Sequence, residues 1–284
     1  MEISSDPATR MTRSKGQMSG IEFVQSVPGG YNHGDATAAL CLHGIGGDVS
    51  SFQPQLDLLG QKRHIISWNM PGYRNSRSLD AMTFESLAEA LIRLIDACKL
   101  ERVDLIGQSI GGMLAIETAI RYPQRIRSLT LIATTSAFGG RDESFKENFL
   151  AQRLAPLDKG SSMAHLADDF IPEITGPDIS RHHLELARQS MSAVPENTYR
   201  TVLECLVSFN RREEVTRLGQ PCCLIAGSED RNAPATTMQR LSEKIRNAQF
   251  HCIDRAGHLV NLEAPDAVNS IIDNFLAEQD GIDK

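Results

Sequence analysis

The feature that most constrains the fold of this 284-residue chain is an alternation of short apolar segments with longer amphipathic ones. Short runs rich in Leu and β-branched residues are typical of strands that are buried on both faces of a parallel sheet. Consecutive parallel strands need a long crossover, which is usually a helix. The alternation therefore predicts an α/β fold with a mostly parallel central sheet and helices on both faces. The predicted strands are residues 38–42, 64–68, 102–106, 128–133, 222–226 and 249–253.

The segments between these strands have the periodicity of amphipathic helices. In residues 84–100, Phe84, Leu87 and Leu91 fall on one helical face. Thr83 precedes this segment as an N-cap, with Ser86 at the capping-box position. Further core helices are predicted at residues 110–121, 234–246 and 266–277.

The pattern changes between residues 138 and 212, where no strand is predicted. Helices are predicted there at residues 145–154, 163–170, 182–191 and 196–208, with prolines between and near them. We interpret this region as a helical insertion into the α/β core. Residues 1–20 are polar and contain no hydrophobic stretch typical of a secretory signal, so we expect a disordered N-terminal extension.

Composition excludes several classes of function. A net charge of −7 does not provide the dense basic face that nucleic acids require. No apolar run reaches the roughly 20 residues that span a bilayer, so we expect no membrane association. The six cysteines have no CxxC pair or zinc-type spacing, which indicates no metal site and fits a reducing cytoplasm. We expect a small-molecule substrate and no cofactor, and the sequence leaves open whether the chain forms homo-oligomers.

The strongest local signal is a G-x-S-x-G pentapeptide at residues 107–111, centred on Ser109. It follows a predicted buried strand and opens a predicted helix, which is the setting of a nucleophile elbow. Gly107 and Gly111 are needed because a Cβ at either position would clash in so tight a turn. The competing interpretation is a glycine-rich helix N-terminus that binds an anion. The strand–turn–helix setting favours Ser109 as a nucleophile.

A serine hydroxyl needs a base, and His258 is the best placed of the eight histidines. It follows the last predicted strand and precedes the last helix, as a chain order of serine, acid, histidine requires. The rival is His43, which we expect to shape the adjacent glycine-rich loop through hydrogen bonds. His165, His182 and His183 lie in the insertion.

The acid that orients the histidine is predicted to be Asp230, which follows the strand at 222–226. Glu229 is its neighbour, and the segment after the preceding strand has no carboxylate. An oxyanion hole requires two backbone N–H groups aimed at one point. We assign these to Ile110, directly after the nucleophile, and to Ile45 in the loop after the strand at 38–42.

Taken in order, these motifs resemble the α/β-hydrolase superfamily. The matching segments are residues 43–47, 71–73, 107–112, 227–234 and 257–258. The resemblance implies that residues 21–136 and 213–284 form the α/β-hydrolase core and that residues 137–212 form a helical cap over the active site. The segment Asn261-Leu262-Glu263 and the short cap are similar to 3-oxoadipate enol-lactonases, and meta-cleavage-product hydrolases and small carboxylesterases look similar too. Gln108 departs from many relatives.

The leading hypothesis is a serine hydrolase that cleaves an ester or lactone through an acyl-enzyme. The alternatives are a carbon–carbon bond hydrolase of the meta-cleavage type, a non-hydrolytic ligand receptor and a cofactor-free oxygenase. A receptor has no need of a complete triad. Acidic substrates, such as a carboxylate-bearing enol-lactone, are a further expectation, because several arginines could bind a carboxylate. These arginines are Arg74, Arg77, Arg181, Arg188 and Arg211.

Overall fold

The computed structural model describes residues 11–31, 37–139 and 143–282. Its centre is one eight-stranded sheet with the strand order β1-β2-β4-β3-β5-β6-β7-β8. All strands from β3 to β8 pair in parallel, and only the first two add antiparallel pairings at one edge. The predicted mostly parallel sheet is confirmed. The strands are β1 (Thr12–Met18), β2 (Ile21–Val27), β3 (Ala38–Leu42), β4 (Ile65–Trp68), β5 (Val103–Gln108), β6 (Ile126–Ile132), β7 (Cys222–Gly227) and β8 (Ala248–Ile253).

The N-terminal edge differs from the sequence prediction. The disorder expected for residues 1–20 is wrong for Thr12–Met18, which forms β1 and pairs along its whole length with β2. The two strands are joined by Ser19 and Gly20, both with positive φ, as a tight hairpin requires. Because β1 is an edge strand with mainly exposed, polar side chains, it carries no apolar pattern from which it could be predicted. Residues 1–10 of the expected extension lie outside the described residues.

The described helices lie where the amphipathic segments predicted them, with two short additions, one after β3 and one after β8. Thr83 caps α2 with a capping box, in which its side chain accepts from the Ser86 N–H and the Ser86 hydroxyl accepts from the Thr83 N–H. The helices are α1 (Gln53–Leu58), α2 (Phe84–Ala97), α3 (Ile110–Arg121), α4 (Glu143–Asp158), α5 (Met163–Ile174), α6 (Arg181–Ser192), α7 (Glu196–Val207), α8 (Ala235–Ser242), α9 (Val260–Glu263) and α10 (Pro265–Ile282).

Helices α4 to α7 form the predicted insertion between β6 and β7. Two of them are longer than predicted, because α4 continues through Pro156 and α5 through Pro172. The two ends of the insertion meet in a short antiparallel bridge between Ala137 and Asn210. The Phe138 N–H donates to the Phe209 carbonyl at 2.9 Å and thereby closes the base of the insertion.

Apolar side chains fill both faces of the sheet. One cluster includes Leu40, Leu105 and Leu224 and continues under the inserted helices, and the other packs Cys41 and Ile106 against α1 and α10. Both faces of the sheet are covered, and ligands in folds of this kind bind at the carboxyl edge of the strands. None of the helices in the described residues is long and apolar enough to cross a membrane.

Candidate active site

Ser109 stands at the sharp turn between β5 and α3. Its φ of +55° is in the left-handed region, where a non-glycine residue is strained and a functional reason is expected. The turn is possible because of two glycines: a Cβ on Gly107 would lie 2.3 Å from the Gly111 carbonyl oxygen. A Cβ on Gly111 would lie 2.0 Å from the Leu42 carbonyl oxygen. The glycine requirement inferred from the sequence is therefore met by backbone contacts that cannot relax easily.

The structure brings Ser109, His258 and Asp230 together in one chain of hydrogen bonds. His258 Nε2 lies 3.1 Å from Ser109 Oγ, and His258 Nδ1 lies 2.8 Å from Asp230 Oδ2. The three residues follow β5, β8 and β7, so the carboxyl edge of the parallel sheet collects them. A carboxylate can only accept hydrogen bonds, so Nδ1 is the donor to Asp230. In the neutral ring this leaves the lone pair of Nε2 facing Ser109.

Asp230 is held in place by its second oxygen. Oδ1 accepts from the Asn232 N–H at 2.8 Å and from the Ala233 N–H at 3.0 Å. Burial raises the pKa of Asp230, but the charge of His258 and these hydrogen bonds outweigh burial and lower the pKa below its ordinary value. The carboxylate is thus kept ionised next to the imidazole. Glu229, the neighbour considered from the sequence, makes no hydrogen bond to His258 in the described structure.

Two side chains fix the loop that carries His258. The Glu263 carboxylate accepts from three backbone N–H groups, those of Gly257 at 2.7 Å, Leu259 at 2.9 Å and Gly176 at 2.6 Å. Because Gly176 follows α5, this carboxylate also ties the insertion to the core. Gln108 Nε2 donates to the His258 carbonyl oxygen at 2.9 Å. Glu263 and Gln108 belong to the sequence motifs, but the motifs do not predict that these two side chains position the histidine.

The loop proposed to supply the second oxyanion donor is also braced. The Met70 N–H donates to His43 Nε2 at 2.9 Å, so the neutral ring carries its proton on Nδ1 and donates to the Gly44 carbonyl at 2.8 Å. Burial lowers the pKa of His43, which favours this neutral form. The Tyr73 hydroxyl donates to the Ile45 carbonyl at 2.7 Å. His43 therefore shapes the loop, as predicted, and lies away from the Ser109 hydroxyl network.

Ser109 and His258 open into a cavity of about 260 Å³ between the core and the insertion. Ile45 lines the cavity from the core side. The insertion contributes mainly apolar and aromatic side chains, namely Phe138, Phe145, Phe149, Phe170, Leu203 and Leu206. Ligand pockets commonly measure about 300–1,000 Å³, so this cavity fits a small, largely apolar molecule.

The five arginines suggested by the sequence do not line this cavity in the described structure. Arg74 is paired with Asp48, and Arg211 is paired with Glu117. The cations that do line the cavity are Arg153, from α4, and Arg231, next to Asp230. No local pattern distinguishes Arg153 from the other arginines of the insertion, because its position depends on how α4 packs over the core.

A comparison with known proteins agrees with this fold. The model of the alpha/beta hydrolase fold matches residues 38–265, which is most of the chain. The chain belongs to the α/β-hydrolase fold family. A solved structure of the enol-lactonase from Burkholderia xenovorans LB400 superposes with a TM-score of 0.81 at 23% identity, covering 93% of this chain and all of that one. At this identity the superposition supports the fold alone.

Relatives in the family carry several different reaction names. The chain is 26% identical to 3-oxoadipate enol-lactonase 1 of Acinetobacter baylyi, over 85% of this chain and 89% of the relative. It is 25% identical to a protein of Azorhizobium caulinodans that is named as a carbamate hydrolase, RutD, over 87% of this chain and 94% of the relative. It is also 25% identical to 2-hydroxy-6-oxo-2,4-heptadienoate hydrolase of Pseudomonas putida, over 87% and 91%. Hydrolysis is common to these names, whereas the bond that is cleaved differs.

Proposed function

We propose that this chain is a serine hydrolase that cleaves small esters or lactones through an acyl-enzyme. The observation that carries the proposal is the hydrogen-bonded series from Ser109 through His258 to Asp230 at the wall of a largely apolar cavity. A hydroxyl, a base within hydrogen-bond reach and a third group that orients the base are the arrangement that nucleophilic catalysis needs.

In the first half of the proposed reaction, Ser109 Oγ attacks the substrate carbonyl and His258 Nε2 takes its proton. Asp230 stabilises the resulting imidazolium through the hydrogen bond to Nδ1. The carbonyl oxygen becomes an oxyanion, which the N–H groups of Ile110 and Ile45 stabilise. Collapse of the tetrahedral intermediate breaks the bond to the alcohol oxygen, which receives the proton from His258. The product of this half is an acyl group on Ser109.

In the second half, His258 removes a proton from a water molecule, and the hydroxide attacks the acyl carbonyl. The same oxyanion donors act again, because the new intermediate has its charge on the same oxygen. The bond to Ser109 Oγ then breaks, and His258 returns its proton to the serine. In a lactone the leaving alcohol and the acid belong to one molecule, so the ring opens and no separate alcohol is lost.

A second candidate is hydrolysis of a carbon–carbon bond in a vinylogous diketone. The observation in its favour is the relationship to the Pseudomonas putida hydrolase, which matches about as well as the enol-lactonase does. Both reactions would begin at Ser109 and differ in which bond next to the attacked carbonyl is broken. Substrate preference therefore separates them, and the identity of Ser109 does not.

The test is a substrate panel measured as kcat/KM on the same protein preparation. It contains p-nitrophenyl acetate, an enol-lactone, a phenyl carbamate and a ring-cleavage dienoate. We expect the ester and the lactone to be the best substrates, and Ser109→Ala to lose at least about a thousand-fold of that activity. Ser228→Ala, which removes a hydroxyl at the same sheet edge, is the control and keeps it. A dienoate preferred over every ester would replace the proposal with the second candidate.

A further inference from the structure

Arg153 occupies an unusual position for a cation. It lines the cavity that contains Ser109, and its guanidinium carbon lies 3.9 Å from the centre of the Phe170 ring and 5.5 Å from that of Phe149. Among the described residues it has no ion pair and no hydrogen-bond acceptor. The only described carboxylate that acts on it electrostatically is Glu173, at more than ion-pair distance. This half-buried guanidinium therefore has no acceptor for its donors within the described part of the protein.

A ligand that enters the cavity can complete this arrangement. A guanidinium has five N–H donors, and an acceptor that meets them away from bulk water forms a charge-assisted hydrogen bond. Stacking on Phe170 satisfies the flat face of the group but leaves its edge free. That edge matches the two oxygens of a carboxylate in a bidentate contact. Burial lowers the pKa of Arg153, which is the direction expected for a cation that lacks a partner.

We propose that Arg153 binds a carboxylate of the substrate at the end of the cavity away from the scissile carbonyl. The proposal rests on the proposed hydrolysis at Ser109 and names its substrate class: a small ester or lactone whose acid portion ends in a carboxylate. The aromatic side chains that line the same cavity provide apolar contacts for the carbon chain that connects the two groups. Tyr199, which lines the same cavity and is near enough for its phenol to interact with Arg153 electrostatically, supplies a second polar group beside the carboxylate.

The first experiment compares two activated esters with the same leaving group. One is the p-nitrophenyl monoester of glutaric acid, and the other is p-nitrophenyl 5-methylhexanoate, which replaces the terminal carboxylate with an isopropyl group of similar shape. Arg153→Met keeps an unbranched apolar side chain against the two phenylalanine rings and removes the guanidinium charge. We expect the ratio of kcat/KM, acid over neutral, to fall about 10- to 100-fold in this variant, as for the loss of a charge-assisted hydrogen bond.

Arg231→Met is the matched control, because Arg231 is the other cation that lines the cavity. The proposal predicts that its ratio stays within about threefold of wild type. An equal loss on both esters in Arg153→Met would mean that the side chain only packs, and this overturns the proposal. A collapse of the ratio in Arg231→Met, with Arg153→Met unchanged, would also overturn it.

A binding measurement separates this proposal from the proposed hydrolysis. Monomethyl glutarate is titrated calorimetrically into the Ser109→Ala protein and into the Ser109→Ala, Arg153→Met double variant, where no turnover is required. At least tenfold weaker binding to the double variant supports the carboxylate subsite even if neither ester is hydrolysed by wild type. Equal binding to both, together with ester hydrolysis by wild type, rejects the subsite and leaves the proposed function standing.

Discussion

Replacement of Asp230 by Asn should reverse donor and acceptor in the hydrogen bonds that join Asp230, His258 and Ser109. In the structure, Oδ1 accepts from two backbone N–H groups and Oδ2 faces His258 Nδ1. An amide oriented with its NH₂ toward the two N–H groups would leave buried donors unsatisfied, at a cost of about 1–3 kcal/mol for each. In Asp230→Asn the amide oxygen therefore stays with the backbone, and the NH₂ group points at His258.

This change at Asp230 alters which nitrogen of the His258 ring carries the proton, and therefore whether the nitrogen that faces Ser109 can accept one. An NH₂ group donates, so Nδ1 must become the acceptor and the proton of the neutral ring moves to Nε2. Nε2 then faces Ser109 Oγ, 3.1 Å away, without a lone pair to take its proton. The same inversion in a serine protease triad lowers kcat about ten-thousand-fold. Since each factor of ten corresponds to about 1.36 kcal/mol, we expect a loss of about 5 kcal/mol of transition-state stabilisation.

The assay is hydrolysis of p-nitrophenyl acetate, with thermal unfolding to verify that the variant is folded. Nitrogen NMR of the labelled histidine reports which ring nitrogen carries the proton. Asp254→Asn is the control, because Asp254 belongs to the same sheet edge and contacts Ser228, not His258. A rate within tenfold of wild type in Asp230→Asn, or an unchanged histidine tautomer, would show that Asp230 does not set the protonation of His258.

Three further predictions concern stability and the support of the site. Gly111→Ala should lower the free energy of unfolding by at least the roughly 1–3 kcal/mol that an overpacked core costs. Gly219→Ala is the control, because open space surrounds its Cβ, and it should change the free energy of unfolding little. Equal urea midpoints for the two variants would contradict this prediction. Glu263→Gln, which puts a donor among three N–H groups, should lower both kcat and the unfolding temperature, and a wild-type kcat would reject its positioning role. Burial raises the pKa of Glu22, but hydrogen bonds from Lys15 and two asparagines outweigh burial and lower the pKa from 4.5 to about 2. The ionised Glu22 therefore adds about 3 kcal/mol to the free energy of unfolding. This stabilisation is complete above pH 4.5 and is lost as the pH falls toward 2. Glu22→Gln should flatten that loss in urea unfolding and exposed Glu89→Gln should not; parallel pH profiles for wild type and Glu22→Gln would contradict this.

The parts of the site that could be predicted from the sequence are those attached to the ends of buried strands. Ser109, Asp230 and His258 each follow a strand with a clear apolar pattern, and parallel strands bring their carboxyl ends to one edge. Hydrogen bonds between the three residues therefore follow from local patterns plus one topological rule. The same reasoning identified His43 as a loop residue, because a histidine before a glycine-rich loop has backbone groups within reach.

The parts that could not be predicted depend on packing between distant segments. Strand β1 has exposed, mainly polar side chains, and it is held by backbone pairing with β2. Backbone pairing does not depend on an apolar pattern, so the sequence of β1 does not predict a strand. Arg153 is one of several arginines in the insertion, and only the docking of α4 over the core places it at the cavity that Ser109 also lines. Glu263 contacts Gly176, a residue far away in the chain. Amphipathic periodicity identifies a helix but does not say which neighbour its polar residues meet.

Covalent labelling of the folded protein with a fluorophosphonate, followed by intact-mass and peptide mass spectrometry, tests directly whether Ser109 is the nucleophile. These reagents react with a serine only when a base activates it. We predict one label per chain, located on Ser109, absent in Ser109→Ala and formed at least about a hundred-fold more slowly in His258→Ala. A label on another residue, or equal labelling of wild type and His258→Ala, would contradict the claim that His258 activates Ser109 as the nucleophile.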